Sequence, residues 1–103
     1  MSRVIASFSI VPIGVEGTSL SKYVAIAIQA LRDKGVKFEL TPMNTILVGD
    51  SLDEIFEAIK IAHKALVEKG IKRILVNINI DDRLDKPERK PVDKVRAVEE
   101  KLD

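Results

Sequence analysis

The chain has 103 residues and a net charge of +1, with 17 basic and 16 acidic side chains that nearly cancel. That length supports one hydrophobic core, and the charge balance gives no general pull toward nucleic acid or an anionic membrane. The absence of cysteine excludes disulfides, thiolate metal sites and cysteine nucleophiles. No signal-like segment precedes the first strand pattern, and the apolar runs are too short to cross a bilayer, so the expected location is the cytoplasm.

The first segment, "RVIASFSIV" (Arg3 to Val11), reads as a β-strand rich in β-branched and aromatic residues, with Ser7 and Ser9 on one parity. A loop punctuated by Pro and Gly, "PIGVEGTS", follows. A helix is expected from about Leu20 to Lys34, capped by Ser19 or Thr18 and ended by Gly35. Leu20, Val24, Ala27, Ile28 and Leu31 form its core-facing stripe.

"VKFELTP" (Val36 to Pro42) alternates with period two, placing Val36, Phe38 and Leu40 on one face. Met43 and Asn44 lead into the strand "TILVG", either as a hairpin or as a bent continuation. "SLDE" (Ser51 to Glu54) is a capping box, with the Ser51 hydroxyl accepting from the Glu54 amide and the Glu54 carboxylate reaching back to the Ser51 amide. The helix it opens runs to about Lys69, with Ile55, Ile59, Ala62 and Leu66 inward and Gly70 at its stop. The last strand is "KRILVNINI".

This order, β-α-β-β-α-β with each helix apolar on one side, predicts an α+β ferredoxin-like sandwich. A four-stranded antiparallel sheet carries both helices on one face, with the first and third strands central and the fourth beside the first. The core spans about residues 3–82 of a single domain. Residues 83–103 are expected to form a charged linker, marked by Pro87 and Pro91, and a short helix. That helix carries Val92, Val95, Val98 and Leu102 as a narrow stripe, which must pack on its own domain or on a neighbouring chain.

The parity of the last strand decides what lies on the other face. Ile74, Val76, Ile78 and Ile80 point one way; Leu75, Asn77, Asn79 and Asp81 point the other, beside Ser7 and Ser9. The three asparagines, Asn44, Asn77 and Asn79, all fall in or next to strands, where Asn is disfavoured. Their paired donors and acceptors suit a heterocycle or a subunit interface. The alternative is polar decoration of a half-exposed sheet.

Three motifs, "VPIG…SLSKYV", "TPMNT" and "IDDRLDK", in this order and spacing, resemble the YkoF-like thiamine-binding family over roughly Val4 to Val98. The resemblance implies a non-enzymatic protein that binds thiamine or its hydroxymethylpyrimidine part, without a cofactor. It also implies a homo-oligomer joined through sheet faces, a dimer of dimers in many members. Carried over residue by residue, Thr41, Met43, Asn44 and Thr45 hold the aminopyrimidine edge, completed by Ser7, Asn77, Asn79, Asp81 and Asp82. That places the site at the end of the sheet, between "TPMNT" and "NINIDD". Met43 offers an apolar platform, and Tyr23 is the aromatic side chain near the loop after the first strand.

Asp81, Asp82 and Asp85 with Arg83 and Lys86 lack the spacing and the Gly of a Ca2+ loop and read as ion pairs. Arg83 and Lys86 are candidate contacts for a sulfate or phosphate. His63, the single histidine, reads as a helix-surface residue rather than a base. The competing function is an oligomeric regulatory or assembly module whose polar sheet face is a subunit interface. RNA recognition is disfavoured, since the central strands carry no exposed aromatics.

Overall fold

The structure, a computed structural model, describes residues 3–86 and 90–102. The elements are β1 (Val4–Pro12), α1 (Ser21–Asp33), β2 (Phe38–Leu40), β3 (Thr45–Gly49), α2 (Leu52–Glu68), β4 (Ile74–Asp82) and α3 (Pro91–Glu99). The sheet order is β2-β3-β1-β4, antiparallel throughout, which is the ferredoxin-like sandwich that the sequence predicts.

Alternation along β1 sends Val4, Ala6, Phe8 and Ile10 into the core under α1 and α2. Ala27, Ile28 and Leu31 of α1 meet them there, as do Ile55, Ala58, Ile59, Ala62 and Leu66 of α2. Both helices end in Schellman motifs. Gly35 and Gly70 adopt φ of 73° and 85°, and the Val36 and Ile71 amides reach back to the Leu31 and Leu66 carbonyls at 3.0 and 3.2 Å.

Several local details differ from the sequence reading. No side chain caps α1: Leu20 stands at the N-cap position, and Ser19 pairs with Ser21 at 3.3 Å instead. The Ser51 hydroxyl accepts from the Glu54 amide at 3.3 Å as expected, but the Glu54 carboxylate accepts from Asp50 at 2.9 Å rather than from Ser51. Gly49 allows this. A Cβ there would stand 2.8 Å from the Glu54 carboxylate, so the missing side chain lets the carboxylate fold back over the strand end. The alternating pattern from Val36 is a strand only over three residues, and Leu40 is exposed rather than core.

Val92, Val95 and Val98 of α3 are exposed, as is Leu102, which lies past the end of the helix rather than on it, and a Lys94–Asp81 ion pair ties the helix to the end of β4. Pro91 opens the helix, whereas Pro87, the other proline expected in the linker, lies outside the described residues. No helix among the described residues is long and apolar enough to cross a membrane.

Candidate functional site

The face of the sheet opposite the helices is built in rows fixed by the register. Ser9 lies opposite Asn77, Ser7 between Ile46 and Asn79, and Ile5 between Val48 and Asp81. The serines are half-buried in the central strand, and Asn77 and Asn79 are exposed on the edge strand. The result is a polar strip flanked by Ile46, Val48 and Val11.

The "TPMNT" turn joins β2 to β3 and is held by its own side chains. The Thr41 hydroxyl lies 2.9 Å from both the main-chain and side-chain carbonyls of Asn44 and accepts from the Asn44 amide at 3.1 Å. The Thr41 amide donates to the Asn44 carbonyl at 2.9 Å, closing the hairpin. Asn44 thus spends its side-chain oxygen on the turn and keeps its amide nitrogen, a two-proton donor, for another acceptor. Met43 is 86% exposed at the tip.

Below this turn lies a cleft of about 180 Å3 between β1, α1 and the hairpin. Phe8, Leu20, Val24 and Leu40 give it apolar walls, with Thr41, Asn44 and Thr45 as its polar groups. Thr45 is the buried polar residue among those described, 5% exposed. Such a volume is below the roughly 300–1,000 Å3 of drug-sized sites and suits one small ring. A wider cleft of about 750 Å3 lies at the other end of β3, between Lys34–Lys37 and the start of α2; Asp50, Asp53, Glu54 and Glu57 line it.

The structure does not gather the candidate residues in one place. Thr41, Met43, Asn44 and Thr45 surround the narrow cleft, and Asn77 stands level with Ser9 at the same end of the sheet. Asp81 and Asp82 pair with Ile5 and Val4, at the far end. Four residues of strand put Asp81 about 13 Å from Asn77. Within one chain, the residues expected of a single site between "TPMNT" and "NINIDD" therefore fall in two separate regions. The reason is topological: β3 and β4 both run antiparallel to β1, hence parallel to each other, so the start of one cannot meet the end of the other.

The far end is an array of ion pairs, as the sequence suggests. Arg3 donates to Asp82 at 2.7 Å, Lys94 pairs with Asp81, and Arg83 grips Asp85 with two hydrogen bonds of 2.7 and 2.6 Å. An anion at Arg83 would have to displace Asp85, because the guanidinium fork is already occupied. Lys86 is exposed beside it. The Arg83 hydrogen bond is the main cause that lowers the Asp85 pKa to about 2. A carboxyl with a depressed folded-state pKa adds stability above its ordinary value of 3.8, and that stability is lost as pH falls through about 2. A carbon-detected NMR titration is expected to give an Asp85 midpoint near 2, and Arg83→Gln returns it to the ordinary carboxylate range.

Tyr23 packs on the core with the Lys22 ammonium 5.0 Å from its ring, and it does not line the narrow cleft. His63 is exposed on α2 beside Phe56. Leu20, Val24 and Leu40 line the cleft although they were not candidates in the sequence. Leu20 and Val24 belong to the predicted α1 stripe, and a stripe does not reveal which of its members face a gap in the core.

Residues 6–99 match the family model described as thiamine-binding protein. The chain belongs to this family. It is 42% identical over 97 residues to a UPF0045 protein of Methanothermobacter thermautotrophicus, covering 94% of this chain and 97% of that protein. It is 43% identical over 86 residues to the UPF0045 protein YqgV of Bacillus subtilis, covering 80% and 82%. Among solved structures, the hypothetical protein MJ1052 of Methanocaldococcus jannaschii superposes with a TM-score of 0.79 at 40% identity, over 97% of this chain and 99% of that one. A Thermotoga maritima protein assigned provisionally to thiamine biosynthesis or salvage superposes with a TM-score of 0.73 at 27% identity, over 92% and 97%. The family is named for binding rather than for a reaction.

Proposed function

We propose that this protein is a non-enzymatic, cytoplasmic homo-oligomer that binds thiamine through its aminopyrimidine ring. The observation that carries the reading is the cleft under the "TPMNT" turn, apolar on its walls and polar at Thr41, Asn44 and Thr45. An aminopyrimidine presents an exocyclic donor beside ring-nitrogen acceptors. The Thr45 hydroxyl is able to accept from the first, and the Asn44 amide nitrogen to donate to the second. The cleft has room for the pyrimidine and not for the whole vitamin, so the thiazolium would extend past Met43 toward solvent or a second subunit. The family's name and the role assigned to the Thermotoga relative point the same way.

A second reading, an assembly or regulatory module, is favoured by the half-buried strip of Ser7, Ser9, Ile46 and Val48 together with the exposed α3 stripe. Calorimetric titration with thiamine and with hydroxymethylpyrimidine separates the two. Wild-type protein is expected to bind both in the micromolar range. Asn44→Ala is expected to weaken binding about tenfold, the equivalent of one hydrogen bond of roughly 1.4 kcal/mol. Asn77→Ala, on the open face, separates the cleft from the strip. A loss there equal to that of Asn44→Ala moves the ligand onto the strip, and no heat with wild type at high micromolar ligand sinks the binding reading.

A further inference from the structure

The two edges of the sheet are built differently. β2 has three residues, with Lys37 just before it, Glu39 within it and Pro42 just after, which are the devices that keep an edge from pairing. β4 has nine residues, Ile74–Asp82, with no Lys, Pro or Gly among them. It pairs with β1 in unbroken register from Val4↔Asp82 to Pro12↔Ile74, with no bulge to twist it away. Among the described residues, no backbone hydrogen bond from outside the sheet reaches its outer side. Alternate N–H and C=O groups along that side therefore face outward, forming a template for a strand.

We propose that β4 pairs antiparallel with β4 of a second copy about a two-fold axis at Asn77, making one eight-stranded sheet. This rests on the association part of the reading above and not on its ligand. A two-fold axis perpendicular to the sheet leaves only registers centred on one residue, and side-chain chemistry chooses among them. Centred on Asn77, Lys72 opposes Asp82 of the second copy and Arg73 opposes its Asp81. Ile74 then opposes Ile80, and Val76 opposes Ile78, on the helix side. Every cross-strand pair joins opposite charges, two aliphatic groups, an aliphatic with an amide, or two amides. Centred on Ile78, Arg73 meets Arg83, and Leu75 and Ile74 meet carboxylates. Centred on Val76, Asp81 meets Ile71. Centred on Asn79, Asp82 meets Val76.

The charged ends gain more than isolated pairs would. Asp82 already accepts from Arg3, and Asp81 is paired with Lys94, so Lys72 and Arg73 of the second copy would extend these into networks. At the centre the two Asn77 amides each offer a donor and an acceptor to the other. The row from Ser9 to Asn77 then continues through Asn77 to Ser9 of the second copy, so each chain completes the polar strip of the other.

The test uses the chain's lack of cysteine, which makes any introduced thiol unique. Opposed residues in an antiparallel pair have Cα atoms about 4.5–5.5 Å apart, within disulfide range. Asn77→Cys is expected to run as a covalent dimer on a non-reducing gel after mild oxidation. Asn79→Cys places its two thiols about 13 Å apart and is expected to stay monomeric on the same gel. Arg73→Glu is expected to raise the dimer dissociation constant at least tenfold by sedimentation equilibrium, with an unchanged melting curve showing that the fold is intact. Crosslinking of Asn79→Cys as fast as Asn77→Cys overturns the register. An oligomer in which Asn77→Cys does not crosslink overturns the edge pairing while leaving association through another surface. A monomer at all concentrations overturns both.

Discussion

Phe8→Ala is expected to lower the unfolding free energy by about 3–5 kcal/mol, the usual cost of emptying a buried aromatic site. Phe8 is 2% exposed at the middle of β1, flanked across the ladder by Thr45 and Ile78. Neighbours on both strands are held in the sheet by backbone hydrogen bonds, so the void cannot close by a simple shift of one element. For a chain with about 5–15 kcal/mol of total stability this is a large fraction. The melting temperature should fall by roughly 15 °C or more. Phe8 also lines the cleft under the β2–β3 turn, so the lost ring would enlarge the proposed pyrimidine site. Phe8→Leu keeps most of the volume and is expected to cost no more than about 1.5 kcal/mol. Urea midpoints for the two variants, with calorimetry on the leucine variant, separate the packing role from the binding role. A midpoint for Phe8→Ala within error of wild type would contradict the packing derived above.

The double substitution Val95→Glu, Val98→Glu is expected to do the reverse: little to the isolated fold and much to the assembly. Both side chains are exposed, at 55% and 60%, and no α3 residue is buried. The tie from α3 to the sheet is an exposed ion pair, Lys94–Asp81, of a kind worth about 0–1 kcal/mol. Surface substitutions of this type usually change stability by no more than about 0.5 kcal/mol. Yet three valines on one stripe of a nine-residue helix, with Leu102 just past its end, gain nothing from facing water, and the helix is tied to the end of the open sheet face. A second pair of chains covering that face would cover the stripe as well. Sedimentation velocity is expected to show the variant as a smaller species than wild type, with an unchanged urea midpoint. Equal masses for the two proteins would remove α3 from the interface.

The fold was legible because its signals are local and periodic. Ser7 and Ser9 on one parity of β1, and Asn77 and Asn79 on one parity of β4, fix both faces of the sheet without any tertiary information. The Ile55, Ile59, Ala62, Leu66 stripe does the same for α2. What escaped depends on geometry between segments. Ser19 has the chemistry of a cap, yet the chain enters α1 through Leu20 and Ser19 turns to Ser21. The Glu54 carboxylate chose the Asp50 amide because Gly49 leaves room beside it, and spacing alone cannot show that room. The separation of Asp81 from Asn44 is different, since the predicted strand order already implies it. Two strands parallel to each other on either side of β1 must have their starts at one end and their finishes at the other.

The brevity of β2 has a consequence for how far this protein can grow. A chain with two receptive sheet edges adds copies without limit, as fibrils do, each new strand exposing another like itself. Here one edge is three residues long and charged. If the other edge is consumed between two chains, both outer margins of the joined sheet are β2, and neither invites a third. In that assembly the short strand would act as a terminator, and a sequence rich in isoleucine and valine would form closed particles rather than filaments.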